Sequence, residues 1–374
     1  MPTVSCNSVG PNRIYVTGST NLPPLIKAVQ PFLYADDPAY VAVFAPQTSC
    51  KGAGAILDPD PSRHIIKNTA NNYAFYYDTA GAQRFCLLDL EGNTVDIGES
   101  DVYPASCNYP IVAGTADYLG PIQAIAIVVP SGSHETAISA EAAHLIFGAG
   151  GDNGRVAPWT DARYYFTRSA GTGTLQLVAR TIAVDPGLVW GIDRLSAANL
   201  VASMEAVNPA VAENAIGLLS SDFADRSRAN LRMLAFQQRG QLRGYLPDST
   251  ATSFDKANVR DGHYPIWGAI HLIAATQNGV ASPAASALIT RLIVPKLERA
   301  TVSAIIEAGF VPSCAMKVNH DSELGPLTTF QPESSCGCFY EQEVGGKASC
   351  TACSTPGDCP SDAPACNYGY CEVR

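Results

Sequence analysis

The chain has 374 residues, 47% hydrophobic and 16% charged, with a formal net charge of -10. That length allows roughly two globular domains and that composition excludes wholesale disorder. With no cluster of Lys or Arg, the acidic balance excludes nucleic acid and anionic membrane surfaces as partners.

The first predicted strand, Arg13 to Val16, runs into Thr17-Gly18-Ser19-Thr20-Asn21-Leu22-Pro23-Pro24 and a helix from Pro23 to Leu33. Glycine, hydroxyls and helix-opening prolines at a strand-to-helix turn suit an anion, because a helix N-terminus presents free N–H groups and partial positive charge. The same residues equally suit a plain N-cap by Ser19 or Thr20. A second strand, Val41 to Phe44, precedes another polar turn, Gln47-Thr48-Ser49-Cys50-Lys51-Gly52-Ala53-Gly54-Ala55-Ile56, which also reads as an ordinary strand-to-helix loop. A third, Thr94 to Ile97, lies in Asp96-Ile97-Gly98-Glu99-Ser100-Asp101, and an aspartate so placed also serves as a cap or turn former.

Farther along come a strand at Ile122 to Val129 and a helix at Ile138 to Phe147. The longest apolar run, Ile122 to Pro130, falls well short of the roughly 20 residues of a membrane helix. After the strand-like Tyr164-Tyr165-Phe166 stands Arg168-Ser169-Ala170-Gly171-Thr172-Gly173-Thr174, opening a helix at Leu175 to Ile182. An arginine fork, turning glycines and hydroxyls at a helix start form a cradle for a small tetrahedral anion. A helix at Ser196 to Ala206, a strand at Ala215 to Leu219 and a helix at Ala285 to Ala308 complete an α/β pattern, with a mostly parallel sheet expected.

Near residue 313 the alanine-rich texture stops, and a Gly, Pro and Ser-rich tail holds Cys314, Cys336, Cys338, Cys350, Cys353, Cys359, Cys366 and Cys371. The even set of twelve cysteines, completed by Cys6, Cys50, Cys86 and Cys107, indicates an oxidising compartment. Disulfides are expected in the tail over zinc, since its only histidine is His320, and spacing leaves their connectivity open. Cys86 and Cys107 flank the third loop closely enough for a bridge, the alternative being that either pairs with Cys50. Met1-Pro2-Thr3-Val4 lacks a basic start and apolar core, so the expectation is an exported protein, periplasmic or cell-surface, whose leader is not part of this sequence.

Four polar turns after strands gain meaning together, because ligands of open parallel sheets bind outside the carboxyl ends of strands. In order and spacing the chain resembles the type II periplasmic solute-binding proteins, specifically the phosphate-binding component of the high-affinity phosphate ABC transporter. TGSTNLPP at 17 to 24 resembles the family's TGATFP turn, TSCKGAGAI at 48 to 56 its Gly-Ser-Gly turn, DIGESD at 96 to 101 its DFGASD segment, and RSAGTGT at 168 to 174 its RADGSGT cradle. Ile216 to Ser221 resembles its IGYLS stretch, and Tyr264-Pro265 its returning crossover strand.

The resemblance implies a two-lobed Venus-flytrap α/β fold with a disulfide-rich C-terminal extension. Lobe one would hold 8–115 and 265–312, lobe two 116–264, and the tail 313–374. It implies phosphate or a similar oxyanion as ligand, taken in an interlobe cleft and delivered to an ABC transporter permease, without catalysis or cofactor. Thr20 and the Asn21 backbone, Ser49, Arg168, Thr172, Gly173 and Thr174 would donate, and Asp101 would accept a proton from the ligand. Such an acceptor discriminates against sulfate, which carries no OH at neutral pH. The chain departs from the pattern at Ala170, where the family has an aspartate beside the arginine, and at Lys51, where it has a small hydroxyl residue. Both changes add net positive charge.

Two other readings stand beside this one. Ser253-Phe254-Asp255-Lys256 spells the Ser-x-x-Lys of serine acyl-transferases, within an irregular-looking loop. Alternatively, a surface or interaction protein could keep the binding fold and contact a protein partner through Phe339, Tyr340, Tyr368 and Tyr370 of the tail. Histidines 64, 134, 144, 263, 271 and 320 show no metal-ligand spacing, and Trp159, Trp190 and Trp267 read as core fillers.

Overall fold

The computed structural model describes residues 2–67, 71–293, 296–346 and 348–373. Two compact units divide the chain, one of Met1–Pro121 with Ala269–Phe310 and one of Ile122–Gly268 with Val311–Arg374. The backbone passes between them within the strands Thr115–Pro130 and Trp267–Gln277 and again after Phe310.

The first unit is built on the strand Arg13–Ser19, which pairs in parallel with Val41–Gln47 on one side and Ile97–Ser100 on the other. Beyond these, Ile97–Ser100 pairs antiparallel with the returning strand through His271, Leu272 and Ile273. On the other flank, Val41–Gln47 meets the hairpin Tyr73–Tyr77 and Gln83–Leu87 antiparallel. The sheet is therefore mixed, where the sequence pattern suggested a mostly parallel one. A tight turn, in which Ala82 and Ala80 amides donate to Asp78 Oδ1, makes the hairpin, and no crossover helix is needed.

The helix Pro23–Ala35 turns Leu25, Ile26, Val29 and Leu33 onto this sheet, against Ile14, Val16, Phe44 and Ile97. Burial of each such side chain stabilises by about 1.5–3 kcal/mol. The single helix expected over Ala285 to Ala308 is two, Pro283–Leu292 and Arg299–Glu307, with Ile293 extended at the break. Residues 294–295 of that prediction lie outside the described residues; proline at 295 lacks the amide that a continuous helix would use. The strand expected over Thr94 to Ile97 is likewise interrupted, because Asp96 Oδ2 accepts the Tyr15 amide at 2.8 Å.

In the second unit, Tyr165–Thr167 lies between Ile192–Asp193 and Ile216–Ser220, all parallel. Ile216–Ser220 pairs antiparallel with Ile125 to Val128. Phe166, Leu200, Met204, Leu219 and Leu231 form its core.

The tail belongs to this unit and is fastened by Cys314–Cys336, Cys338–Cys350, Cys353–Cys366 and Cys359–Cys371. The sulfurs of Cys353, Cys359 and Cys371 lie within 4.8 Å of one another, but all three are disulfide-bonded. Buried Arg260 anchors the tail, donating to Ala315 O at 3.0 Å and Gly337 O at 3.3 Å while covering the Tyr340 ring. Phe339 and Tyr340 are buried, with Tyr368 stacked on Phe339. Phe339 and Tyr340 are thus packing residues and not the outward contact points expected of them. In the first unit the bridges are Cys6–Cys86 and Cys50–Cys107, so Cys86 and Cys107 are not joined to each other.

Candidate functional site

Ser19 stands level with Gln47, and Val16 with Ile97, so the three parallel strands of the first unit end side by side. The loops that leave those ends carry Thr20 and Asn21, then Ser49, then Asp101. Asp101 is 2% exposed. Its Oδ2 accepts from Asn21 Nδ2 at 3.1 Å and from Ser49 Oγ at 3.2 Å, and its amide reaches Ser49 Oγ at 3.3 Å. Thr48 caps the helix that begins at Ser49 by accepting from the Lys51 amide, and Lys51 is exposed. Thr20 is half-buried in the first loop.

The Asn21 amide, which the resemblance assigns to the ligand, donates instead to Ser19 Oγ at 3.1 Å, and the side chain is what reaches Asp101. The helix that follows begins without a side-chain cap, its first turn holding Pro23 and Pro24. Asn21 Oδ1 and Asp101 Oδ1 are buried and have no hydrogen-bond partner among the described residues.

Glu99 joins this group, and sequence reasoning missed it. It is completely buried, and its Oε2 accepts the Ser19 amide at 2.5 Å. Burial first, and then the adjacent negative Asp101 and a hydrogen bond to it, push the Glu99 carboxyl well above the usual range. Its signal was the departure of DIGESD from DFGASD: a glutamate replaces alanine in a strand buried along its whole length, Ile97–Ser100.

In the second unit, the strand Tyr165–Thr167 delivers Arg168, and Thr172 caps the helix Gly173–Thr181 by accepting from the Leu175 amide. Thr172 also donates to Ser169 O at 2.8 Å, closing the turn. Arg168 is 4% exposed, with Nη2 3.3 Å from Leu195 O. Ala170 offers its carbonyl to Gln176 Nε2 at 2.6 Å, so a glutamine secures the turn that an aspartate accompanies in the family pattern. Thr174 is buried, and its Oγ1 has no partner among the described residues. The eight predicted residues thus form two groups, Thr20, Asn21, Ser49 and Asp101 in one unit and Arg168, Thr172, Gly173 and Thr174 in the other.

Nothing in the Ser-x-x-Lys segment resembles an acyl-transfer centre. Ser253 Oγ bonds with Ser249 Oγ and the Thr250 amide, while Lys256 Nζ is held by Asp225 at 2.7 Å and Asp248 at 2.9 Å. Arg228 closes the same cluster onto both carboxylates. Lys256 Nζ bonds these carboxylates and not Ser253, so the pair lacks the contact through which a lysine would take the serine's proton.

No protein-family model matches the chain, and no curated protein matches it. Among solved structures, a Clostridium perfringens protein assigned as a phosphate ABC transporter substrate-binding protein, solved with bound phosphate, is similar at 11% identity and a TM-score of 0.53. That match covers 80% of this chain and 99% of that one. A DING protein is similar at 17% identity and a TM-score of 0.50, over 80% of this chain and 90% of that one. The likeness is one of fold: the chain has the mixed α/β fold of the type II periplasmic binding proteins.

Proposed function

We propose that this chain is an exported, non-catalytic binding protein for inorganic phosphate or a closely related tetrahedral oxyanion, which it delivers to an ABC transporter. The observation that carries the reading is the convergence of Asn21, Ser49 and Asp101 at the level ends of three parallel strands. In this reading Thr20, Asn21 and Ser49 bind from the first unit, and Arg168, Thr172, Gly173 and Thr174 from the second. The Arg168 fork supplies charge-assisted donors, the start of the helix Gly173–Thr181 supplies amides, and Asp101 accepts from an OH of the ligand. Six disulfides support an extracytoplasmic location. No helix among the described residues is long and apolar enough to cross a membrane.

Calorimetric titration with phosphate and sulfate tests the reading. Wild type should bind phosphate in preference to sulfate, and Arg168→Ala should weaken phosphate about 10- to 100-fold, the usual value of a hydrogen bond to a charged group. Asp101→Asn should narrow the preference, because an amide can donate to sulfate where a carboxylate repels it. Absence of phosphate binding by the wild type would overturn the assignment.

A further inference from the structure

Glu99 has no counterpart in the four-loop resemblance, yet it is built into the first unit with care. Its Oε2 takes the Ser19 amide. A Cβ on Gly18 would lie 2.5 Å from that oxygen, and one on Gly52 would lie 1.9 Å from the Glu99 carbonyl oxygen. Two glycines therefore make the room in which this residue sits. Glu99 Oε1 and Asp101 Oδ1 are both buried without a donor among the described residues, and the two side chains are within hydrogen-bonding reach of each other. Two carboxylates within such reach offer only acceptors to each other, and a single proton shared between them satisfies both.

Other charged groups nearby do not supply that donor. On the same strand run stand Asp96 and Asp101. The adjacent returning strand brings His271, the register partner of Ser100, whose Nδ1 lies 2.8 Å from Asp117. The helix Ser49–Leu57 brings Lys51, whose side chain is exposed, and the strand Arg13–Ser19 brings Arg13 and Tyr15 at its opposite end. Tyr103, beyond Asp101, packs on the His271 ring.

Asn21 and Ser49 both donate to Asp101, whereas Glu99 receives one amide. The charge is therefore better supported on Asp101 and the proton on Glu99. We propose that Glu99 is a specificity-determining residue, donating a shared proton to Asp101 and so setting the charge that the first-unit loops present to an oxyanion. This rests on the oxyanion reading. With the proton in place the pair carries one negative charge, and Asp101 keeps a lone pair for a ligand OH. Without it the pair carries two, and an anion is repelled.

The test compares wild type with Glu99→Gln, whose amide retains a donor for Asp101 but cannot ionise. Phosphate affinity is measured for both from about pH 5 to 10, and because both face the same ligand ionisation, the ratio of their Kd values reports on the protein alone. Wild type should lose affinity relative to Glu99→Gln as pH rises, by up to about ten-fold per pH unit once Glu99 ionises. A flat ratio overturns the proposal. Infrared spectra of the ligand-free wild type provide a second reading that needs no variant: a carboxylic-acid carbonyl band should persist at neutral pH, and Glu99→Gln should lack it. No such band in wild type, or its loss on adding calcium ion, which would put a cation where the proton is placed, also overturns the proposal. If wild type binds phosphate at no pH, the specificity role and the oxyanion reading fall together, and the band then shows that proton sharing stands without them.

Discussion

Cys50 and Cys107 are joined by a disulfide, which ties the residue after Ser49 to the turn that follows Asp101. The bridge closes a sequence separation of 57, so the chain-entropy model gives it about 4 kcal/mol of stabilisation. Cys50→Ser with Cys107→Ser should lower the unfolding free energy toward that amount in guanidinium titrations and weaken phosphate binding as Ser49 and Asp101 lose their relative position. Unchanged affinity in a folded double variant would show that the hydrogen bonds alone hold this pair.

Lys256 bonds two carboxylates in the second unit, which it shares with Arg228, and its side chain is 4% exposed. Burial pushes the Asp248 carboxyl up, and Lys256 draws it back toward ionisation. Lys256→Met should therefore destabilise by about 3 kcal/mol at neutral pH, the usual effect of removing one partner of a buried pair. The loss should shrink in acid, where Asp248 can take a proton instead. Denaturation of both proteins at two pH values measures this, and an equal loss at both would contradict it.

Glu99 also makes stability depend on pH, without any ligand. In the unfolded chain it ionises near the ordinary glutamate value, while in the fold burial keeps it protonated well above that value. The folded state then binds more protons in this window, so stability is full below the unfolded value and falls as pH rises toward the folded one. Against Glu99→Gln, wild type should lose up to about 1.4 kcal/mol per pH unit across that window. Parallel melting-temperature profiles of the two proteins would refute this.

Gly52 lies within the helix Ser49–Leu57, where alanine would ordinarily be favoured. Here an added Cβ would meet the Glu99 carbonyl oxygen, a backbone atom that cannot rotate away. Gly52→Ala should thus destabilise by about 1–3 kcal/mol, as overpacking does, and displace the segment that carries Glu99 and Asp101. A neutral or stabilising effect in thermal unfolding would mean that this contact relaxes freely.

Much of the frame was legible because it rests on local pattern. The segments expected as helices at Pro23 to Leu33 and Leu175 to Ile182 announce themselves through prolines, a turn before the start and apolar spacing. The first folds as Pro23–Ala35 and the second as Gly173–Thr181, which starts two residues early because Thr172 caps it. The grouping of Asn21, Ser49 and Asp101 could be anticipated only from ordered turns after strands, since parallel register brings together residues that are far apart in sequence. What escaped depends on tertiary neighbours. Glu99 reads as a surface residue until both faces of its strand are covered, and the pairing of Cys6 with Cys86 is set by where the chain folds back and not by spacing. The antiparallel flanks of the first sheet were missed because a strand's apolar run carries no record of its direction.

The four tail bridges close in series with little overlap: Cys314–Cys336, Cys338–Cys350, then the interlocked Cys353–Cys366 and Cys359–Cys371. A protease that nicks the backbone inside any of these rings leaves the fragments covalently attached. Between Cys314 and Cys371, two joints lie outside every ring. One, at Gly337, is buried at a helix start; the other, Thr351-Ala352, is exposed. One cut there would leave the knot from Cys353 onward joined to the rest of the unit by noncovalent contacts alone, among them Tyr368 on Phe339 and Glu372 with the Cys338 amide.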